Sequence, residues 1–87
     1  MLVCNKFYRF KQSASRIYSD WDSESGGVSN CINIEKGNLF YLLNVICPPN
    51  PSFRMNHGIE YGCKILTIYG IGYLDIHDDS ILPELIT

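Results

Sequence analysis

The segment that most constrains the fold is residues 64–85, which read KILTIYGIGYLDIHDDSILPEL. Its first part is rich in β-branched and aromatic side chains, which is typical of a buried strand. Gly70 and Gly72 then bracket one isoleucine, and this spacing predicts a sharp chain reversal because glycine tolerates positive φ. Leu74 and Ile76 share one face of the residues that follow, so a second strand is predicted there. The segment therefore predicts a β-hairpin against which the rest of the chain packs.

The end of this segment predicts how the hairpin is completed. Residues 77–80, HDDS, should stop the second strand because Asp and Ser side chains bond their own backbone in turns. Pro83 suits a bend or an edge strand since it has no backbone N–H to donate. We expect the hairpin to bury Leu66, Ile68, Leu74 and Ile76. We expect the closing residues to return four apolar side chains to the core: Ile81, Leu82, Leu85 and Ile86.

Other strands are indicated along the chain. Residues 1–10 alternate loosely and predict a first strand, and residues 31–35 predict a short one before a turn at residues 36–38. Residues 39–47, LFYLLNVIC, form the strongest strand pattern. Both faces of that strand are apolar, so it should be central in the sheet, with one face in the core. The prolines of residues 48–51 should end it.

Two longer segments lack a regular pattern. Residues 12–30 are polar and turn-rich, with an extended piece predicted at residues 16–18. A helix over residues 14–22 is rejected because it would have no continuous apolar stripe. Residues 52–62 form the second predicted loop. Long loops in a small domain are frequently functional, so these two are the first places to look for a binding site.

Cysteine usage and hydropathy bear on the compartment. Four cysteines, at positions 4, 31, 47 and 63, include no pair at the close spacing of zinc ligands. The start of the chain has no apolar signal-peptide core, so we expect reduced, buried thiols in a cytoplasmic protein, with disulfides as the alternative. No apolar run approaches the roughly 20 residues of a membrane span. We therefore predict no membrane association.

The charge balance disfavours nucleic acid as a partner. The chain has 7 basic and 9 acidic residues and a net charge of −2, whereas phosphate-backbone binders normally carry a basic excess. The alternative is a nucleic-acid-binding barrel that uses the first strand. Its basic residues would be Lys6, Arg9, Lys11 and Arg16, with Phe7, Tyr8 and Phe10 as stacking groups.

The order of these features resembles a known fold. Several short strands, two long loops and no helical period predict a small all-β barrel or sandwich. The Lys36–Gly37 turn before a strand, and Gly72–Tyr73 opening a later strand, resemble the bacterial SH3-type and small phage SH3-like proteins. The resemblance covers residues 33–86 and implies a five-stranded SH3-like barrel, with residues 1–87 as a single domain.

The resemblance also implies a class of function. Eukaryotic-type SH3 domains bind proline-rich ligands through a Trp, a Pro and a Tyr that residues 63–64 and 77–81 do not match. Proline-rich peptide binding is therefore not implied. What the resemblance implies is a small non-enzymatic protein-interaction module, of the kind found as phage or mobile-element accessory proteins that bind and modulate a host factor.

The candidate binding residues lie in the two long loops. Trp21 stands in a polar loop, and two interpretations stay open: it closes one end of the barrel, or it is an exposed anchor for another protein. The aromatic residues of the second loop pose the same choice. The predicted partner-binding residues are Tyr18, Asp20, Trp21, Asp22, Phe53, Arg54, Met55 and Tyr61.

No pattern in the chain predicts chemistry. Cys47 or Cys63 could pair with His57 as nucleophile and base, but nothing brings them together, and a buried cysteine is the simpler interpretation. Residues 77–79, HDD, carry metal-ligand types, yet they fit a strand-ending turn better. We therefore predict no catalytic residue, no metal site and no cofactor.

Overall fold

The computed structural model describes residues 2–12, 15–22, 26–46, 58–77 and 82–86. Within these ranges the chain forms nine β-strands and no helix, which confirms the all-β class. No helix in this part of the chain is long and apolar enough to cross a membrane.

Seven strands form one antiparallel sheet in the order β5-β2-β8-β7-β6-β1-β9, and β3 and β4 form a separate two-stranded ribbon. The strands are β1 Phe7–Arg9, β2 Ser15–Tyr18, β3 Trp21–Asp22, β4 Gly26–Gly27, β5 Cys31–Ile34, β6 Leu39–Ile46, β7 Tyr61–Thr67, β8 Gly70–Ile76 and β9 Glu84–Leu85.

The strand count differs from the five-stranded barrel that was predicted. The edge strands of the large sheet, β5 and β9, are not paired with each other, so the described residues do not form a closed barrel. The additional strands β2, β3 and β4 lie in residues 12–30, where only one extended piece, at residues 16–18, was predicted. That piece is confirmed within β2. Strands β3 and β4 could not be predicted from this polar sequence. Such short strands form because of their pairing partners and show no apolar alternation.

The main core lies on the inner face of the large sheet. Six of its seven strands contribute buried side chains to it, and since one sheet supplies most of them, the sheet must curve around this cluster. The buried residues are Leu2, Tyr8, Phe10, Ile17, Ile34, Phe40, Leu42, Tyr61, Cys63, Ile65, Leu74 and Ile76. The prediction that Leu74, Ile76 and one face of the 39–46 strand are buried is therefore confirmed.

The hairpin reverses earlier than predicted. Thr67 pairs with Gly70 across a two-residue loop, so the reversal falls at Ile68 and not at the two glycines. The Thr67 hydroxyl donates to the Gly70 carbonyl at 3.1 Å, and φ of Gly70 is 104°. This register sends residues 61, 63 and 65 inward. The prediction that Leu66 and Ile68 are buried is wrong: they are 45% and 70% exposed.

Strand β6 is central, as predicted, and lies between β7 and β1. Its pairing with β7 shifts by one residue at Leu43, since Leu42 pairs with Ile65 but Asn44 pairs with Lys64. A shift of one residue exchanges the faces of the residues that follow. The later part of β6 therefore has the opposite inward and outward pattern from its first part.

The closing segment contributes less to the core than predicted. Strand β9 pairs with β1 at the edge of the sheet, which agrees with the edge position expected around Pro83. Leu82 packs partly buried against the core. Leu85 is 58% exposed and Ile86 is 36% exposed, so their predicted return to the core is wrong, because an edge strand has a neighbour on only one side. Ile81 lies outside the described residues.

Candidate interaction surface

The outer face of the large sheet, opposite the core, carries an uncharged row of side chains. Phe7 pairs with Tyr41, Tyr41 with Leu66, and Leu66 with Ile71, so the four residues cross β1, β6, β7 and β8 side by side. Phe7 and Leu66 are each 45% exposed and Ile71 is 60% exposed. We call these four residues the exposed row.

One end of the exposed row is held by contacts of its own. The Phe7 and Tyr41 rings meet edge to face, with centroids 4.9 Å apart. The Tyr41 hydroxyl donates to Asn5 Oδ1 at 3.2 Å, and the Ile86 backbone N–H donates to the Phe7 carbonyl at 2.8 Å. The two aromatic side chains are therefore positioned before any partner arrives, which lowers the entropy lost on binding.

An ion pair lies beside the Phe7 end of the exposed row. Arg9, two residues beyond Phe7 on the same strand, forms an ion pair with Glu84 at 3.4 Å, and both side chains are about half exposed. An exposed pair of this kind adds little to stability, but it leaves no net charge at this end of the row. The exposed row itself is apolar and aromatic, and Lys64, two residues from Leu66 on the same face of β7, adds a basic side chain beside it.

A second row on the outer face is covered. Ile46, Gly62 and Asp75 pair across β6, β7 and β8, and the β3–β4 ribbon lies over them. The Trp21 ring packs on Gly62 so closely that a Cβ added there would lie 2.5 Å from Cε2 of the ring. Glycine is therefore required at position 62. We call these three residues the covered row, and β3 with β4 the Trp21 ribbon.

Asp75 holds both strands of the Trp21 ribbon. Its Oδ1 accepts a hydrogen bond from Nε1 of Trp21, and its Oδ2 accepts one from the Gly27 backbone N–H at 3.2 Å. On the other side, the Tyr18 ring packs directly on Gly27, where a Cβ would fall 2.2 Å from a ring carbon. A carboxylate and two ring-on-glycine contacts thus fix the ribbon to the sheet.

Of the predicted partner-binding residues, Tyr18 and Trp21 lie together at the Trp21 ribbon, whereas Tyr61 lies in the main core. Trp21 is 9% exposed, in a small cluster with Ile59, so it covers the sheet and is not an exposed anchor. Tyr61 is 3% exposed in the main core, and its hydroxyl accepts a hydrogen bond from the Leu2 N–H. Tyr18 is partly buried.

The remaining predicted residues divide into two groups. Asp20 and Asp22 are exposed, and Asp20 Oδ1 accepts a hydrogen bond from the Trp21 N–H at 2.8 Å. Phe53, Arg54 and Met55 lie outside the described residues. Ile59 of the second predicted loop packs against Trp21 of the first, so the described parts of the two loops meet at the Trp21 ribbon.

The exposed row was not among the predicted sites. One signal could have found it: residues 39–46 and 65–71 carry apolar side chains in both phases of the strand, which is more apolar surface than one core face can take. We used that excess to place β6 at the centre of the sheet. It equally predicts an outer face that must be covered or must bind something.

The basic first strand offers only part of a nucleic-acid site. Tyr8 and Phe10, two of its three predicted stacking groups, are buried in the core, and only Phe7 is exposed. Arg9 is in the ion pair with Glu84. The exposed cations Lys6, Lys11 and Arg16 remain.

The described cysteines and acidic residues do not form a reactive thiol or a metal site. Burial, with smaller effects of Cys4 and Asp75, raises the pKa of the Cys63 thiol from 9.0 to about 12, which opposes thiolate formation. Cys4 is partly buried and Cys31 is exposed, so the expectation of buried thiols is wrong for Cys31. Among the described residues no group of three or more His, Cys, Asp or Glu side chains could hold a metal ion. Cys47, His57, Asp78 and Asp79 lie outside these ranges.

Comparison with known proteins places the chain in no family. No family model, no curated protein and no solved structure matches it.

Proposed function

We propose that this chain is a small, non-enzymatic protein-interaction module that binds a short apolar segment of another protein on the exposed row. The observation that carries the proposal is the uncharged row itself, which pairs Phe7, Tyr41, Leu66 and Ile71 across four strands on the side opposite the core. Aromatic and aliphatic groups that are exposed together and already positioned are typical of interface anchors.

The size of the row favours a segment over a globular partner. Four strands spaced about 4.8 Å apart give a row about 15 Å long and one side chain wide. A standard interface between globular proteins buries about 800 Å² on each side, which is considerably more than such a row provides. A peptide segment with two or three apolar side chains matches this surface.

We also propose that part of the large sheet has an SH3-like arrangement. The succession β9-β1-β6-β7-β8, in which the first and last strands pair and the other three follow one another, supports an SH3-like arrangement of five of the nine strands. The other four strands, which are β2, β5 and the two of the Trp21 ribbon, belong to the long segment between the first two of these strands. The SH3-like resemblance alone supports the further proposal that the chain is a phage or mobile-element accessory protein. Such a protein would bind and modulate a host factor.

The test is selection of binding peptides from a random-peptide library displayed on phage, followed by titration of the selected peptides. We expect them to be apolar and to bind the chain, and we expect Leu66→Asp to weaken binding at least tenfold, since it places a charge in the row. Leu85→Asp is the matched control. Leu85 is also an exposed leucine, but it pairs with the inward-facing Tyr8 and so lies in the opposite phase from the row.

Thermal unfolding of both variants separates loss of binding from loss of fold, because exposed substitutions of this kind should leave stability nearly unchanged. Selected peptides that bind wild type and Leu66→Asp equally would overturn the proposal. So would binding to mixed DNA or RNA at low salt that is abolished by alanine at Lys6, Lys11 and Arg16, because nucleic-acid binding would then be the function.

A further inference from the structure

The two edges of the large sheet are built differently. Strand β9 is two residues long, directly follows Pro83 and carries the charged Glu84, all of which oppose pairing with another strand. Strand β5, Cys31–Ile34, has four residues and contains neither proline nor charge. Three of its four side chains are exposed, and Ile32 is 44% exposed. Among the residues that the structure describes, the β9 edge is protected against strand pairing and the β5 edge is left open to it.

The hydrogen-bond pattern shows which backbone groups of β5 point outward. Ser19 N–H donates to the Asn30 carbonyl at 3.1 Å, so residues 30, 32 and 34 face β2 in the alternating antiparallel pattern. Cys31 and Asn33 therefore direct their N–H and C=O groups away from β2. Within the described residues, β5 pairs with β2 alone. These four outward groups are suited to an added strand.

We propose that β5 pairs antiparallel with β5 of a second copy of this chain, about a two-fold axis at Ile32. In that register Cys31 of each copy lies opposite Asn33 of the other, and all four outward groups on each strand edge find partners. The two Ile32 side chains meet as the close, non-hydrogen-bonded pair. The absence of charge on β5 means that two copies do not repel each other there. The strand is thus complementary to itself, as a two-fold interface requires.

Sedimentation velocity over a range of protein concentrations tests the proposal. We expect a dimer whose fraction rises with concentration, because four hydrogen bonds and one apolar pair make a weak interface. Ile32→Lys places two like charges opposite each other and should raise the dissociation constant at least tenfold. Leu85→Lys, at the protected edge β9, where the side chain is 58% exposed, should leave it unchanged. Thermal unfolding should show both variants folded.

Two further measurements locate the contact. A short bis-maleimide should cross-link two copies through Cys31, with loss of the product in Cys31→Ser and in Ile32→Lys but not in Cys4→Ser. Hydrogen exchange of the Cys31 and Asn33 amides should slow as concentration rises. A chain that is monomeric at all concentrations overturns the proposal. A dimer that survives Ile32→Lys but is lost in Leu66→Asp also overturns it, since the copies would then meet on the exposed row.

Discussion

The outer face of the large sheet has two halves that cross the same three strands, β6, β7 and β8. In one half Tyr41, Leu66 and Ile71 fill the row with side chains, and nothing in the described structure covers Leu66 and Ile71. In the other half the central position is Gly62, and the Trp21 ring occupies the space that a side chain would take.

The difference between the two rows shows which features allow a ribbon of two short strands to cover a sheet face. Apolar side chains alone do not suffice, since the exposed row has them and stays uncovered. The covered row offers a glycine for close approach, and Asp75 offers two carboxylate oxygens to the donors of the ribbon. A ribbon this short buries little area by itself, so hydrogen bonds to a charged acceptor matter more than they would in the core.

The largest expected effect comes from truncating one side chain in each half of the outer face and comparing the two costs in stability. Trp21→Ala should lower the free energy of unfolding by about 3 kcal/mol, because it removes a buried aromatic ring and leaves the face over Gly62 open. Leu66→Ala should cost less than about 1 kcal/mol, because Leu66 is already 45% exposed. Urea unfolding of both variants measures the difference. Equal costs would mean that the ribbon is not a stable cover.

A smaller effect is expected at the carboxylate that holds the ribbon. Asp75→Asn keeps the shape but replaces a charged acceptor with an amide, which should cost about 1.5 kcal/mol and shift the Trp21 fluorescence to the red. Glu35→Gln is the matched control, because it removes one negative charge at an exposed site. An unchanged fluorescence spectrum in Asp75→Asn would show that ring packing alone positions Trp21.

The smallest expected effect is a pH dependence of the free energy of unfolding. It comes from Cys63, which faces inward next to Gly62 of the covered row. Its pKa is raised to about 12, so above pH 9 the unfolded chain loses the thiol proton while the folded chain keeps it. The unfolded state then binds fewer protons, and stability falls as pH rises, by about 1 kcal/mol between pH 9 and pH 10. Unfolding of wild type and Cys63→Ala at both pH values measures this, and the fall should be smaller by that amount in the variant. An equal fall in both would assign the pH dependence to other groups.

Much of the fold follows from local pattern. The all-β class, the central 39–46 strand and the inward phase of Leu74 and Ile76 were all predictable, because alternation and β-branched composition are properties of short segments. The turn at Lys36–Gly37 was predictable for the same reason, and Gly37 has φ of 95°. The candidate surface was not predicted, because long loops predicted the binding site, whereas the exposed row lies on regular strands.

By itself, then, the sequence determined the all-β class, the central strand at residues 39–46, and an apolar content of the long strands that exceeds one core. Only the tertiary structure decided which face each strand presents. The reversal at Ile68 turned Leu66 outward, and the one-residue shift at Leu43 turned Ile46 outward to pack against Trp21. A change of one residue in register exchanges the two faces of a strand, and register depends on pairing between distant segments. Trp21 is buried for the same reason: the space it fills exists only once Gly62 and Asp75 lie side by side.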